Sequence, residues 1–378
     1  DRVFEKHFFR MKKLMYFFVV LAVTISIDAQ WVQTSTGMQV VLSMTNSGNS
    51  IFAGSEGSYP LYRSTNNGTN WTIMNLPLTA TQALTVSGTS VFAGTQGGIF
   101  RSMDNGENWV RIESTFYVLS LVTIGSNIFV GTDNSGAVLR STNNGENWTQ
   151  AISGLDSNAI GYTFAVNGTD IFVGTQNGVY RSTNYGTNWT HLGLSSIGIR
   201  TLAIIGSNIF AGVGGGVYRS TNYGANWTLE NTGLTNTEVD CFATSGVNIF
   251  AGTYEGGVFL STNNGSNWFE INQGFTTIPS VHSFLIFNNI IYAGTINHSI
   301  WKRPLSEVIG INNISSEIPS SYSLSQNYPN PFNPTTKIRF DVQKSGNVEI
   351  SVYDLLGRKV ASLVDQKLRS GTFETEWN

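Results

Sequence analysis

Residues 171–189, IFVGTQNGVYRSTNYGTNW, contain a pattern that recurs seven times with gradual variation along the 378-residue chain. The glycine that follows the first apolar triplet returns at intervals of 37 to 43 residues, at Gly54, Gly94, Gly131, Gly174, Gly212, Gly252 and Gly294. Such a period, built from several short strands, is typical of a β-propeller rather than of a helical solenoid. The sequence therefore predicts an all-β fold made of seven repeats.

Each repeat is predicted to supply four short strands. In the fourth repeat these are Tyr162–Val166, Ile171–Thr175, Val179–Ser182 and a strand that begins at Trp189. They are rich in β-branched and aromatic residues and are separated by Gly and Asn turns. The last repeat lacks a fourth strand, and the isolated segment Trp31–Gln33 resembles the missing one. We therefore predict a seven-bladed propeller over residues 30–305 that is closed by the N-terminal strand.

The composition excludes several classes of function. Charged residues make up 12% of the chain and the formal net charge is −3, so nothing attracts nucleic acid or anionic lipid. The single cysteine, Cys241, excludes an intramolecular disulfide framework. A thiol nucleophile is one interpretation of Cys241, but a small buried strand residue is favoured, because small residues occupy the aligned positions Ser43, Ala83, Ser120, Thr163, Thr201 and Ser283. No His, Asp or Glu set has metal-ligand spacing, so neither metal nor cofactor is predicted.

The N-terminal region predicts export. Met11 is followed by two lysines, and an apolar run over Leu14–Ile27 leads to the small residue Ala29. This order is typical of a secretory signal peptide, here Met11–Ala29, and the run is short for a membrane span. Residues 1–10 are expected to be an over-extended reading frame. Residues 1–29 should therefore stand outside the fold, leaving no stable membrane span after cleavage.

The recurring turn resembles the Asp-box, or bacterial neuraminidase (BNR) repeat, S-x-D-x-G-x-x-W. Its serine, glycine and tryptophan occur in six copies, at Ser64, Gly68 and Trp71; Ser102, Gly106 and Trp109; Ser141, Gly145 and Trp148; Ser182, Gly186 and Trp189; Ser220, Gly224 and Trp227; and Ser261, Gly265 and Trp268. Only Asp104 is acidic at the third position, where the other copies have Asn. An amide still accepts the hydrogen bonds of such a turn. The resemblance implies a structural role, away from any active face.

The C-terminal region departs from the repeat. A linker is expected over residues 306–320, followed by YPNPFNP at 328–334, the strand IRF at 338–340 and VYDLLGRKV at 352–360. This order resembles the C-terminal sorting domain of the type IX secretion system, family type A, over residues 321–378. The resemblance implies export by the type IX machinery of a Bacteroidetes-type bacterium, with surface attachment or release. The alternating strands punctuated by proline also predict a small β-sandwich here. Family members usually continue beyond Trp377, so this sorting domain is expected to be incomplete.

Candidate site residues lie where the repeats differ. The position twelve residues before each recurring glycine holds Leu42, Gln82, Leu119, Tyr162, Arg200, Asp240 and His282. Propellers bind ligands where the innermost strands begin, so the polar members of this column predict a ligand-facing rim. Loops expected at the same end add Glu238, Tyr254, Glu255 and His298. The alternative is that Arg200 and Asp240 merely pair across adjacent blades.

Three functions remain open. The favoured hypothesis is a secreted, non-catalytic binding module for a glycan, peptide or protein, and the chain also resembles photosystem II assembly factor-like and sortilin-type propellers, which are binding scaffolds. The second is a glycoside hydrolase, sialidase- or xyloglucanase-like. Sialidases use an arginine triad, whereas most arginines of the repeats belong to the Arg-Ser pair before each turn, and only Arg111 and Arg200 are expected to be able to converge. The third is a structural surface-layer component.

Overall fold

A computed structural model describes residues 18–22, 30–34, 37–57, 59–76, 80–113, 116–133, 138–308, 311–315, 317–330, 336–354, 358–368 and 370–377. The chain divides into two compact units, Gln30–Ile309, and Gly310–Asn378 together with Asp1–Ala29. Apart from one 3₁₀ turn at Leu305–Glu307, every regular element in these described residues is a β-strand. The predicted all-β fold is confirmed.

The described parts of the two units contain 35 strands. The first strand, β1 (Phe18–Ala22), belongs to the second unit. The strands of Gln30–Ile309 from β2 to β14 are β2 (Val32–Gln33), β3 (Val40–Ser47), β4 (Ser50–Glu56), β5 (Leu61–Ser64), β6 (Thr72–Ile73), β7 (Thr81–Ser87), β8 (Ser90–Thr95), β9 (Gly98–Ser102), β10 (Val110–Glu113), β11 (Val118–Ile124), β12 (Asn127–Thr132), β13 (Val138–Ser141) and β14 (Thr149–Gln150). Those from β15 to β29 are β15 (Thr163–Asn167), β16 (Asp170–Thr175), β17 (Gly178–Ser182), β18 (Thr190–His191), β19 (Thr201–Ile205), β20 (Asn208–Val213), β21 (Gly216–Ser220), β22 (Thr228–Leu229), β23 (Val239–Ser245), β24 (Asn248–Thr253), β25 (Gly257–Ser261), β26 (Phe269–Glu270), β27 (Val281–Phe287), β28 (Ile290–Thr295) and β29 (Ile300–Pro304).

These 28 strands form seven antiparallel four-stranded sheets. Six sheets are built from consecutive strands, β3–β6, β7–β10, β11–β14, β15–β18, β19–β22 and β23–β26. The seventh has the order β2-β29-β28-β27, so the N-terminal strand is its outer strand. The first strand of each repeat packs against the first strand of the next repeat, and β27 packs against β3. These first strands are β3, β7, β11, β15, β19, β23 and β27. The first strands are therefore the innermost ones.

The recurring glycine is required because the next sheet approaches it closely. A Cβ atom on Gly94 would lie 2.3 Å from Val118 Cγ1, and one on Gly294 would lie 2.6 Å from Val41 Cγ1. The small residue on the adjoining inner strand belongs to the same contact. Ser283 Oγ donates to the Val41 carbonyl at 3.0 Å. The side chain of buried Cys241 donates to the Val281 carbonyl at 3.4 Å, and burial raises its thiol pKa. Cys241 therefore has a packing role.

The repeated turn between the third and fourth strands is held by one serine and one amide or carboxylate. In the first copy, Gly68 N donates to Ser64 Oγ at 2.9 Å and Asn70 N donates to Asn66 Oδ1 at 2.9 Å. The same two bonds recur in the other five copies. Asn67, at φ 53°, occupies the left-handed region that Asn tolerates. Since amide and carboxylate versions make the same bonds, the turn does not depend on an acidic residue.

The N-terminal strand joins the two ends of the repeat array. In the pairing of β2 with β29, Val32 lies opposite Lys302 and Gln33 lies opposite Trp301. Trp31 is 1% exposed, and its indole N–H donates to the Ile271 carbonyl at 2.7 Å. The turn tryptophans Trp189, Trp227 and Trp268 likewise donate to carbonyls of the preceding sheet. Trp31 thus makes the same contact in the seventh sheet as these tryptophans make in theirs.

The second unit contains two sheets around one core. One has the order β1-β33-β34 and the other the order β30-β35-β32-β31. Their strands are β30 (Ile311–Ser315), β31 (Ser323–Leu324), β32 (Thr336–Val342), β33 (Gly346–Tyr353), β34 (Lys359–Leu368) and β35 (Gly371–Trp377). Phe340 and Phe373 from one sheet pack with Val348, Ile350 and Val364 from the other. This arrangement is the small sandwich that the sequence predicts for the C-terminal region.

Two segments that the sequence places outside the folded domains contain strands. The predicted linker 306–320 contains β30, because the polar run Ile311–Ser315 finds a partner in the distant strand β35. Phe18–Ala22, expected to stand outside the fold, pairs with β33 as β1, since an apolar β-branched segment suits an open sheet edge. Residues 1–17 and 23–29 of the predicted extension and signal peptide lie outside the described residues, as do Pro331–Pro334 of the YPNPFNP motif.

Candidate functional site

The column of predicted rim residues coincides with a line of β-bulges. The pairing of the innermost strand with the second strand shifts register in five sheets, which leaves Leu42, Gln82, Leu119, Asp240 and His282 as the extra residues. In the other two sheets, Tyr162 and Arg200 stand directly before β15 and β19 and donate their amides to Gly174 and Gly212. Bulges redirect a side chain away from the regular pleat. The column is therefore a distinct feature of the fold at the start of every innermost strand.

Four charged or titratable side chains meet in this column and beside it. Arg200 Nη1 donates to Asp240 Oδ1 at 2.9 Å and to Glu238 Oε2 at 3.2 Å. His282 Nδ1 lies 3.6 Å from Asp240 Oδ2. These residues come from three consecutive sheets, and we call them the charged cluster. The Asp240 side chain, 11% exposed, is the innermost member, whereas those of Arg200 and Glu238 are 42% and 50% exposed.

His282 is held in its neutral form. Burial lowers its pKa below the usual value of 6.5, and the positive charge of Arg200 lowers it further, while the Asp240 carboxylate acts in the opposite direction. A histidine with a lowered pKa carries an uncharged imidazole at neutral pH. Its Nε2 atom is buried and has no hydrogen-bond partner among the described residues. The cluster at neutral pH is thus two carboxylates, one guanidinium and one neutral imidazole.

The remaining predicted residues lie around or apart from the charged cluster. Tyr254 donates its amide to the Glu238 carbonyl at 2.9 Å, and its side chain is 42% exposed. Glu255, at φ 56°, donates its amide to Ser280 Oγ at 2.9 Å. His298 Nδ1 lies 2.8 Å from the Ile296 carbonyl. These three occupy loops between second and third strands, and no direct bond joins their described side chains to the cluster.

Two predicted residues occupy other sheets. Tyr162 is 38% exposed before β15. Gln82 donates its side-chain amide to the Tyr117 hydroxyl at 3.0 Å, which links the second and third sheets. Gln82 is therefore engaged in a contact separate from the one around Arg200.

Sequence reasoning missed two residues that support this region. Tyr117 precedes β11 and accepts the bond from Gln82. Asn236 holds the loops beside the cluster, since its Nδ2 donates to the Tyr254 carbonyl at 2.8 Å and its Oδ1 accepts from Glu238 N at 2.9 Å. Alignment of the repeats could have indicated Tyr117, which lies two positions before the column. The role of Asn236 depends on two loops that meet only in the folded chain.

The arrangement restricts the possible chemistry. Arg111 lies on the outermost strand of the second sheet, where it bonds the Gly97 carbonyl and stacks on Phe100, so it does not join Arg200. Arg63 and Arg101 each donate to a carbonyl of the next sheet's turn. Within the described residues, no group of three His, Cys, Asp or Glu side chains could hold a metal ion. The described residues also include no helix that is long and apolar enough to cross a membrane.

The C-terminal region matches a known family. Residues 326–378 match the family described as "Secretion system C-terminal sorting domain". The chain carries a type IX sorting domain. The predicted resemblance of the C-terminal region is therefore confirmed, and this domain indicates export by the type IX secretion machinery and a cell-surface location in Bacteroidetes-type bacteria. No curated protein matches the chain.

Solved structures share the fold of the repeats. YCF48 from Cyanidioschyzon merolae superposes with a TM-score of 0.62 at 16% identity, over 74% of this chain and 100% of YCF48. YCF48 bound to D1 peptide gives 0.60 at 14% identity, over 75% and 99% of the two chains. The GH74 enzyme of Niastella koreensis gives 0.52 at 20% identity, over 71% of this chain but 43% of the enzyme. At such identities the likeness shows the fold alone, and the predicted β-propeller is confirmed.

Proposed function

We propose that this protein is a secreted propeller that binds an extracellular ligand without catalysis, at the end of the ring where the innermost strands begin. The observation that carries the proposal is the convergence of Arg200, Asp240 and His282 from three consecutive sheets. Charged residues are scarce in this chain, at 12%, so their concentration at the start of three neighbouring innermost strands is informative. We also assign the six turns to the Asp-box type and Met11–Ala29 to a signal peptide. Its cleavage on export removes β1 from its pairing with β33, and the exported domain keeps the other two strands of that sheet, β33 and β34.

The fold itself does not require charges at this column. Leu42 and Leu119 occupy the same bulge position in the first and third sheets. Buried ion pairs contribute little net stability compared with apolar residues of similar size, because removing charges from water is costly. A largely buried Asp240 with a half-exposed Arg200 is better explained by recognition of a polar ligand than by stabilisation of the ring. The exposed Tyr162 and Tyr254 would add contact area at the edge of the site.

The second candidate, a glycoside hydrolase, is less well supported. Arg200 Nη1 lies 3.2 Å from Glu238 Oε2 and 2.9 Å from Asp240 Oδ1, so these oxygens are at most about 6 Å apart. This upper limit is compatible with the roughly 5–5.5 Å between the carboxyl groups of a retaining glycosidase. However, both carboxylates come from one chain segment and share one guanidinium, whereas the reaction needs them on opposite sides of the scissile bond. The likeness to a GH74 enzyme concerns the fold alone.

The test compares ligand capture by two variants of the full chain. Glycan and peptide arrays are probed with the native protein, with Arg200→Gln, and with the control Glu107→Gln, which removes a salt bridge to Arg63 elsewhere on the propeller. We expect one array to give saturable binding that Arg200→Gln weakens by about tenfold or more, since a charged contact contributes about 1.5–3 kcal/mol, and that Glu107→Gln leaves unchanged. Absence of binding on both arrays would favour the structural surface-layer function. Release of reducing sugar from a bound glycan would overturn the non-catalytic assignment.

A further inference from the structure

We infer that the propeller has a second binding site, for a neutral saccharide chain, on its outer edge beside the first sheet. A groove of about 440 Å³ lies there, between the N-terminal segment that follows β2 and the outer strands of the first sheet. Tyr59, Tyr62 and Trp71 supply aromatic surface, and Thr34, Thr69 and Asn70 supply hydroxyl and amide groups. The volume is within the range of small-ligand sites. The site shares no residue with the charged cluster and does not depend on it.

One of the three rings comes from the loop between the second and third strands of the first repeat. The segment between Gly54 and Leu61 is SEGSYP, whereas the second repeat has only TQGG between Gly94 and Ile99. The longer loop brings Tyr59 to the groove, where its side chain remains 52% exposed. The two ends of this loop are held together, because Ser55 N donates to the Pro60 carbonyl at 2.9 Å. An exposed ring on such a loop is available for a ligand and contributes little to the core.

The other two rings are fixed in place by their neighbours. Tyr62 lies on β5 and is 9% exposed, and both burial and the nearby Tyr59 raise its phenol pKa. The Trp71 indole N–H donates to Thr34 Oγ1 at 3.2 Å, which holds the ring edge against the N-terminal segment. The ring positions are therefore set before a ligand arrives, so little conformational entropy is lost on binding.

The chemistry of the groove selects an uncharged polyol. None of the described lining residues carries a charge, so neither an anionic glycan nor a charged peptide side chain would find a counter-ion. Aromatic faces accept the apolar C–H face of a sugar ring, and hydroxyl and amide side chains beside them can bond its hydroxyl groups. Thr69 and Asn70 provide such groups next to the rings, whereas Thr34 Oγ1 already accepts from Trp71 and donates to the Ile300 carbonyl. A neutral saccharide satisfies both kinds of surface.

A second groove on the same propeller provides an internal comparison. It measures about 470 Å³ and lies between the outer strand of the third sheet and the turn of the fourth. Its lining includes the cationic Arg140 and the aliphatic Ile152, and none of its described residues is aromatic. Of these two grooves, the one beside the first sheet combines an aromatic lining with the absence of charged residues among its described lining residues.

The experiment measures binding of cellohexaose, xylohexaose and mannohexaose to the full chain by calorimetry, with oligogalacturonate and a serine-rich peptide as charged and peptidic probes. We expect one neutral hexasaccharide to bind saturably. Tyr59→Ala should weaken that binding by about tenfold, and Tyr59→Phe, which keeps the ring face, by about twofold or less. Ile152→Ala in the second groove should leave it unchanged. Arg200→Gln is measured beside these variants to separate this binding from binding at the charged cluster. Because Tyr59 is half exposed, its replacement should not alter the unfolding midpoint.

Each contrary result has a separate meaning. If none of the three neutral sugars binds saturably, or if Tyr59→Ala binds as the native chain does, the saccharide site is wrong. If oligogalacturonate or the peptide binds in a manner that depends on Tyr59, the ligand class is wrong. Loss of binding in Arg200→Gln but not in Tyr59→Ala would place the sugar at the charged cluster. That result would support the proposed function and overturn the second site.

Discussion

Asp104 is the acidic member of six equivalent turn positions, and its surroundings explain why either an amide or a carboxylate is accepted there. Ser102 Oγ and Asn108 N donate to Oδ1 at 2.8 and 2.9 Å, and Asn108 Nδ2 donates to Oδ2 at 2.7 Å. These donors, with Asn108 N the strongest, lower the pKa of Asp104 to about 2. The five Asn copies make the Oδ1 bonds without a charge.

The lowered pKa of Asp104 predicts a pH-dependent contribution to stability. Between the unfolded pKa of about 4 and the folded value of about 2, the unfolded chain binds more protons, so stability falls as the pH is lowered. The contribution of Asp104 to the free energy of unfolding should be complete above a pH of about 4 and should disappear towards a pH of about 2. Urea unfolding of the native chain and of Asp104→Asn across this range should show a difference that shrinks with acidification. Asp133→Asn, a carboxylate outside the turns, is the control. An equal pH slope for Asp104→Asn and the native chain would contradict the assignment.

At the scale of single elements, the glycine of each second strand should tolerate no side chain. On Gly252 a Cβ would lie 2.5 Å from Cys241 Sγ and 2.9 Å from the Val281 carbonyl. Because the carbonyl belongs to the backbone of the next sheet, relief requires the two sheets to separate. We expect Gly252→Ala to lower the free energy of unfolding by about 1–3 kcal/mol, measured by urea denaturation.

A matched glycine tests the cause of that loss. Gly215 lies in the loop before β21 and has no left-handed φ, and a Cβ atom added to it would meet no described atom within 4 Å. Gly215→Ala should therefore leave the unfolding free energy unchanged or raise it slightly. Equal losses in Gly252→Ala and Gly215→Ala would mean that sheet-to-sheet contact does not explain the repeated glycine.

How far the sequence predicts the elements depends on whether the information is local. The fourth repeat begins its strands at Thr163, Asp170, Gly178 and Thr190, each within one residue of the prediction, because β-branched runs and Gly turns are local signals. Alignment of the repeats also identified the column that contains Arg200, Asp240 and His282. The ion pair between Arg200 and Asp240 is the contact that the sequence offered as the alternative to a ligand site. The second bond of Arg200, to Glu238, the support from Asn236 and the strand β30 were not predicted, since each depends on segments distant in sequence.

For the whole propeller unit, the outer strand β2 is the point where the two ends of the repeat array meet. Trp31 stacks on Phe275 with ring centroids 5.3 Å apart and bonds the Ile271 carbonyl, so a single buried side chain connects β2 to the sixth and seventh sheets. Replacing it by alanine should cost about 3–5 kcal/mol of unfolding free energy, as for other buried aromatic residues. Loss of β2 would also leave β29 as an unpaired sheet edge.

Hydrogen exchange distinguishes local opening of the β2–β29 pairing from destabilisation of the whole propeller unit. In Trp31→Ala, the amides of β29 should exchange faster by a larger factor than those of β17, which lies in the interior of the fourth sheet, because β29 loses its partner strand while β17 keeps both neighbours. Val32→Ala, a 53% exposed residue on the same strand, should change neither set. Equal acceleration in β29 and β17 would mean that the sheets open together, and the special role of the N-terminal strand would then be wrong. Preferential exchange in β29 would mean that the seventh sheet is complete, and β29 protected, only when β2 is paired with it.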